Sequence, residues 1–230
     1  AIKLAYKFHE GKRKFLLHTD ISFHGKLLGT GSISHSPEVK FKFPGMANTD
    51  FFKWNDLQSL ESIIDHYEKK KNEPDIFAII IEPFSASSLL ECSEKFLRRL
   101  REICLEKKII LIFDEIYTGW GKTGEYFYFM KYDKLVPDIL TMSKSFGGGK
   151  SSISCFTTTK KIFEKAYGNI QDSTIHSTTY NAFGEESVTA LEAVNIAVED
   201  KYPERAKHIG KIINQKLLNL KNKYPKELKE

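Results

Sequence analysis

The chain has 230 residues, 41% of them hydrophobic and 28% charged, enough to bury a sizeable core in one large domain or two small ones. Its net charge of +5 is spread along the sequence with no basic stripe interleaved with aromatics, which argues against a nucleic-acid partner. No apolar stretch nears the ~18 residues of a membrane span, and Cys92, Cys104 and Cys155 form no CxxC pair, so a reducing, cytoplasmic setting without metal or membrane is expected.

In chain order, the spacing predicts a helix from Ala1 to about His9 and a strand from Lys14 to His18. Residues 22–50 read as loop, with Gly25, Gly29, Gly31, Pro37, Pro44 and Gly45. Asn55-Asp56 offers a cap for a helix from Leu57 to about Lys70, whose apolar face is Leu57, Leu60, Ile63, Ile64 and Tyr67. The basic run Lys69-Lys70-Lys71 is expected at that helix's carbonyl end, where cations are favoured.

Next comes the clearest unit. Ile76 to Ile81 is a continuous apolar run ending at Glu82-Pro83; Ser93 caps a helix with Phe96, Leu97, Leu100, Ile103 and Cys104 on one face; Ile109 to Phe113 is a second run ending at Asp114-Glu115. Strand, helix, strand with both strands apolar throughout predicts a parallel sheet covered on both faces. A third run, Ile139–Met142, ends near Lys144, and a fourth, Ile153 to Thr157, follows a glycine cluster. Helices of about Glu185–Glu199 and Pro203–Lys221 close an α/β chain. Both ends read as cuts through a longer protein.

Ligands of open parallel sheets gather outside the carboxyl ends of the strands, where this sequence places Glu82, Asp114 and Lys144. A carboxylate and a lysine at buried strand ends both need partners, because desolvating a charge is costly. An ion pair between them is one solution. Condensation of the amine with an aldehyde cofactor, whose ring nitrogen the carboxylate then holds, is another. The residues alone leave both open. The Gly-Lys-Thr at 121–123 is no phosphate loop, since the required upstream glycine falls at Ile116.

Two segments carry a more specific resemblance. One runs from Asp114 through Thr118-Gly119-Trp120-Gly121-Lys122-Thr123-Gly124. The other is Pro137-Asp138, a strand, Lys144, then Gly147-Gly148-Gly149. Together they resemble the class III pyridoxal-phosphate-dependent aminotransferases, of the acetylornithine, ornithine and diamine kind. Phe23-His24-Gly25, Glu82-Pro83 and His176 to Tyr180 resemble further family segments in the same order.

The resemblance implies a fold type I large domain over residues 1–200, with 201–230 leading as a helix towards a small carboxy-terminal domain. It implies pyridoxal 5'-phosphate held by Lys144, a ring partner in Asp114 and a stacking ring in Phe23. Further cofactor contacts fall to His24, Glu82 and Tyr117. Thr179 is implied to reach the cofactor phosphate of a neighbouring subunit, hence a homodimer. The reaction implied moves an amino group between an amine or amino acid and a keto acid or aldehyde. A mutase, racemase or decarboxylase of the same fold, and a non-catalytic remnant, are the competing readings. The sequence departs from the family pattern at Tyr117 (usually Gln), Lys122 (usually Arg), Phe84–Ser88 and Asn181–Glu185.

Overall fold

A computed structural model describes residues 1–35, 43–70, 73–172 and 174–228. Its strands are β1 (Phe15–Thr19), β2 (Thr49–Phe52), β3 (Glu68–Lys70), β4 (Glu73–Pro74), β5 (Ile76–Ile81), β6 (Ile110–Asp114), β7 (Ile139–Met142) and β8 (Cys155–Thr158). Six of them form one sheet in the order β2-β1-β5-β6-β7-β8. Pairing is parallel from β2 through β7. The expected strand at Ile153 begins at Cys155, and it runs antiparallel to β7, because the chain doubles back through the glycine turn without a crossover helix.

The helices are α1 (Ile2–Phe8), α2 (Leu28–Gly31), α3 (Leu57–His66), α4 (Glu94–Glu106), α5 (Lys160–Tyr167), α6 (Gly184–Glu199) and α7 (Tyr202–Lys223). Side chains alternate across the central strands, so each strand feeds two cores. Leu111 and Phe113 of β6 join the core under α3 and α4, with Leu60, Ile64, Phe96 and Leu100. Ile110 and Ile112 join the opposite core under α1 and α5, with Leu4, Ala5, Ile162 and Ala166. This is why the strand sequences are apolar without alternation.

Local chemistry sets the helix ends. The Asp56 carboxylate accepts from Ser59 N–H to cap α3, and the Ser93 hydroxyl accepts from Phe96 N–H to cap α4. At the other end of α4 the Arg13 guanidinium donates to the carbonyls of Lys107 and Lys108, placing a cation on the negative end of the helix dipole.

Three expectations change. α3 stops at His66, not near Lys70. The Tyr67 hydroxyl donates to Asp50 at 2.7 Å and its ring lies 4.0 Å from that of Phe15, tethering it to the sheet. Glu68–Lys70 then turns back to pair with β4, so Lys69 and Lys70 belong to a strand, while Lys71 and Pro37 lie outside the described residues. The loop-rich stretch hides β2, in which only Phe52 is buried, so no apolar run marks it. Helix α5 was not expected, although Thr159 caps it through Ile162 N–H and Ile162 and Ala166 are buried one turn apart.

The two faces of α4 give a direct test. Phe96 is 1% exposed and Leu105 is 60% exposed. Phe96→Ala is expected to cost about 3–5 kcal/mol, and Leu105→Ala within about 0.5 kcal/mol of nothing, read from denaturant unfolding midpoints.

Candidate functional site

The carboxyl ends of β5, β6 and β7 place Glu82, Asp114 and Lys144 along one edge of the sheet. Asp114 is nearly buried and is held from three sides. Its Oδ1 accepts from Ile116 N–H at 3.1 Å and from the Thr141 hydroxyl at 3.1 Å; its Oδ2 lies 2.8 Å from His24 Nδ1. Thr141 is there because the β6–β7 register sets it directly opposite Asp114. His24 is fixed in turn by its N–H, which donates to the Ser34 hydroxyl at 2.8 Å.

Glu82 is also buried and stitches the same loop to the sheet. Its Oε1 accepts from Phe23 N–H at 2.9 Å and its Oε2 from Ala86 N–H at 3.2 Å. Burial pushes its carboxyl above the ordinary value, while the nearby His24 imidazole and those two N–H groups pull the other way. The Phe23 ring, half-buried beside it, pairs with no other aromatic ring among the described residues.

Lys144 leaves β7 with φ +46°, a left-handed conformation that costs a residue with a Cβ roughly 1–2 kcal/mol. It opens a one-turn 3-10 segment, Lys144–Gly147, closed by Gly148 at φ +61°. Its Nζ lies 5.2 Å from the centroid of the Tyr117 ring. The Phe146 ring stacks on Trp120 at 5.4 Å and 14°, so the lysine turn is fastened to the 115–124 loop twice. No ion pair joins Lys144 to Asp114 among the described residues; the aspartate's partner is His24.

Glu115 anchors that loop from below. It is fully buried and accepts from the Thr118 hydroxyl at 2.9 Å and from the backbone N–H groups of Tyr128 and Phe129 at 2.5 and 2.9 Å. A hollow of about 1390 Å³ opens alongside, lined in part by Thr141, Phe146, Phe156, His176 and Thr178.

The family profile of class-III aminotransferases matches residues 1–230. The chain belongs to the class-III aminotransferases. It is 31% identical over 235 residues to an acetylornithine aminotransferase of Prochlorococcus marinus, covering 98% of this chain and 54% of that one. It is 25% identical to an uncharacterised aminotransferase of Schizosaccharomyces pombe, covering 100% and 46%. The chain thus spans about half the length of the curated relatives it matches.

Two solved structures show the same fold. An (S)-enantioselective ω-transaminase of Thermomicrobium roseum superposes with a TM-score of 0.87 at 22% identity, over 96% of this chain and 53% of that chain. The ornithine aminotransferase of Toxoplasma gondii superposes at 0.79 and 22%, over 91% and 48%. The architecture is that of the fold type I transaminases, and the family depends on pyridoxal phosphate.

The residues present fit that group. A carboxylate has about four lone-pair positions and Asp114 uses three, leaving one for a ring N–H. His24 Nε2 is buried without a partner among the described residues. Of the residues expected at the site, Phe23, His24, Glu82 and Asp114 are joined by hydrogen bonds or adjacent backbone, and Tyr117 meets Lys144. Thr179 is not joined to them: it lies exposed in the turn before α6. Thr141 and Glu115 are structural members that sequence reasoning passed over; the strand register would have found the first.

Glu115 also makes the fold sensitive to pH. Burial raises its carboxyl from the ordinary 4.5 to about 7, against the pull of its three donors. The folded chain therefore holds this proton more tightly than the unfolded one, and the stabilisation is complete below pH 4.5 and lost as pH rises through about 7. Between about pH 5 and 7 the unfolding free energy should fall by on the order of 1–3 kcal/mol from this group. Glu115→Gln should flatten that slope in unfolding curves taken across the range.

Proposed function

We propose that the protein containing this chain is a pyridoxal-phosphate-dependent transaminase. It would move an amino group between an amine or amino acid and a keto acid or aldehyde. The observation that carries the reading is Asp114: a buried carboxylate with three donors, one acceptor position to spare, and a lysine amine on the same sheet edge. The likeness to the acetylornithine aminotransferase supports an ω-amino acid donor.

Bound pyridoxal phosphate would supply an aldehyde and a protonated ring able to take up electron density from the substrate carbon. Asp114 would hold the ring N–H, with His24, Thr141 and Ile116 fixing both carboxylate oxygens in place. The face of Phe23 would cover the ring, and its N–H bond to Glu82 sets the height of that loop. Lys144 would hold the cofactor between turnovers. Its freed Nζ would then carry a proton from the carbon bearing the amino group to the carbon that was the cofactor's aldehyde, as general base and then general acid. Tyr117 would keep the amine over the reacting edge by its ring face and offer its hydroxyl to the cofactor's phenolic oxygen.

The exposed position of Thr179 supports a role towards a second subunit, in which a homodimer would bring it to the partner's cofactor phosphate. Residues 1–200 would form the cofactor-binding domain. The helix in 201–230, of whose described residues only Pro203 is buried, would lead towards a further domain. Three free cysteines support a cytoplasmic location.

In the full-length protein, Lys144→Ala is expected to abolish the lysine-dependent cofactor absorbance and to lower amine-dependent turnover by about 10²–10⁴-fold. Pyridoxamine phosphate should accumulate when an amino donor is added to the parent without an acceptor. Unchanged turnover in Lys144→Ala would sink the reading; turnover without pyridoxamine phosphate would move it to a mutase, racemase or decarboxylase. Asp114→Asn is expected to keep cofactor bound while slowing proton removal, measurable as a loss in kcat rather than KM.

A further inference from the structure

Lys122 is a cation at this edge that the reading above leaves without a use. It sits on a tight turn in which Gly124 N–H donates to the Gly121 carbonyl at 3.0 Å. Both glycines hold φ +94°, and both are pressed against α7. A Cβ at Gly121 would fall 2.9 Å from Tyr202 Cβ and 3.1 Å from Pro203 N; one at Gly124 would fall 2.6 Å from Lys207 Cγ. Only glycine allows this approach. The Lys207–Glu125 ion pair, at 2.5 Å, fastens the far side of the turn. Lys122 therefore projects from a backbone clamped on two sides.

Its Nζ lies 4.3 Å from the centroid of the Tyr117 ring, the same ring that carries Lys144 Nζ at 5.2 Å. Neither ammonium has a carboxylate partner among the described residues. Two like charges sharing one ring repel each other, and the proximity is felt: burial first, then the Lys144 charge, push the Lys122 ammonium below the ordinary lysine value. An anion entering beside them relieves both costs. When the Lys144 amine is committed to the cofactor, Lys122 would remain as the cation on that ring.

We propose that Lys122, held against Tyr117, is the anchor for a carboxylate of the amino substrate and so sets a preference for amino acids over simple amines. This rests on the transaminase reading and assigns a specificity residue within it. The contact would be a charge-assisted hydrogen bond, N⁺–H to O⁻.

The test uses the full-length holoenzyme with Lys122→Met and Lys122→Arg. Turnover is compared for 4-aminobutyrate and n-butylamine, equal in length and differing in the carboxylate. Binding of glutarate, a dicarboxylate that does not react, is followed by calorimetry. In Lys122→Met the 4-aminobutyrate to butylamine ratio of kcat/KM should fall roughly ten- to hundredfold, with glutarate affinity falling alongside; Lys122→Arg should restore both. Equal losses for the two amines, or unchanged glutarate binding, overturn the assignment. So does loss of cofactor on dialysis of Lys122→Met under conditions where the parent keeps it, reversed by excess pyridoxal phosphate, which would place the cofactor's phosphate on Lys122 instead. Absence of turnover with every amine in the parent would sink the transaminase reading separately. The glutarate titration needs no turnover and decides Lys122 even then.

Discussion

A carboxylate held out of water at the end of a buried strand is the constraint on which the rest of the edge depends. Asp114 follows five residues of continuous core, and a charge in that position is tolerated only with close donors. Three elements supply them: the loop after β1 brings His24, the turn after β6 brings Ile116 N–H, and the facing strand brings Thr141. Each donor commits its own segment, so satisfying one carboxylate assembles much of the site. The same donors that stabilise the charge also aim it.

A second carboxylate does comparable work one residue further on. Glu115 points the other way, into the protein, and gathers the backbone of residues 128 and 129 under the 115–124 loop. The pair divides the labour at the strand end: one side chain faces the ligand edge, the other ties down the loop that shapes it. Gly121 and Gly124 complete the loop by letting α7 close against it. α7 thus touches the turn bearing Lys122.

The chemistry follows from how unlike the two lysines are. Lys144 stands on a strained left-handed residue at the end of a strand, and Lys122 on a relaxed glycine turn. Both are steered by one tyrosine ring rather than by carboxylates. A ring face attracts a cation without offering it a proton acceptor, so each amine keeps its hydrogen-bonding capacity for whatever enters the site. An acid in place of Tyr117 would have cancelled one of the two charges and weakened the pull on an anion.

Much of the sheet was legible in the sequence because burial on both faces leaves a plain mark: the runs at Ile76–Ile81, Ile110–Phe113 and Ile139–Met142 have no other use. The strand ends named Glu82, Asp114 and Lys144, and the motifs around them named the family. β2 was not legible, since it buries a single residue; α5 was missed although its cap Thr159 and its buried pair Ile162 and Ala166 are in the sequence. Nor could the sequence choose a partner for Asp114. Composition and spacing left an ion pair with Lys144 open, and the fold gave the aspartate to His24, 90 positions away. What the sequence determined was which carboxylates must leave water, whereas Lys144, expected at a buried strand end, lies exposed in its turn; which donors meet the carboxylates was settled by strand register and loop closure, because such contacts join segments that share no local pattern.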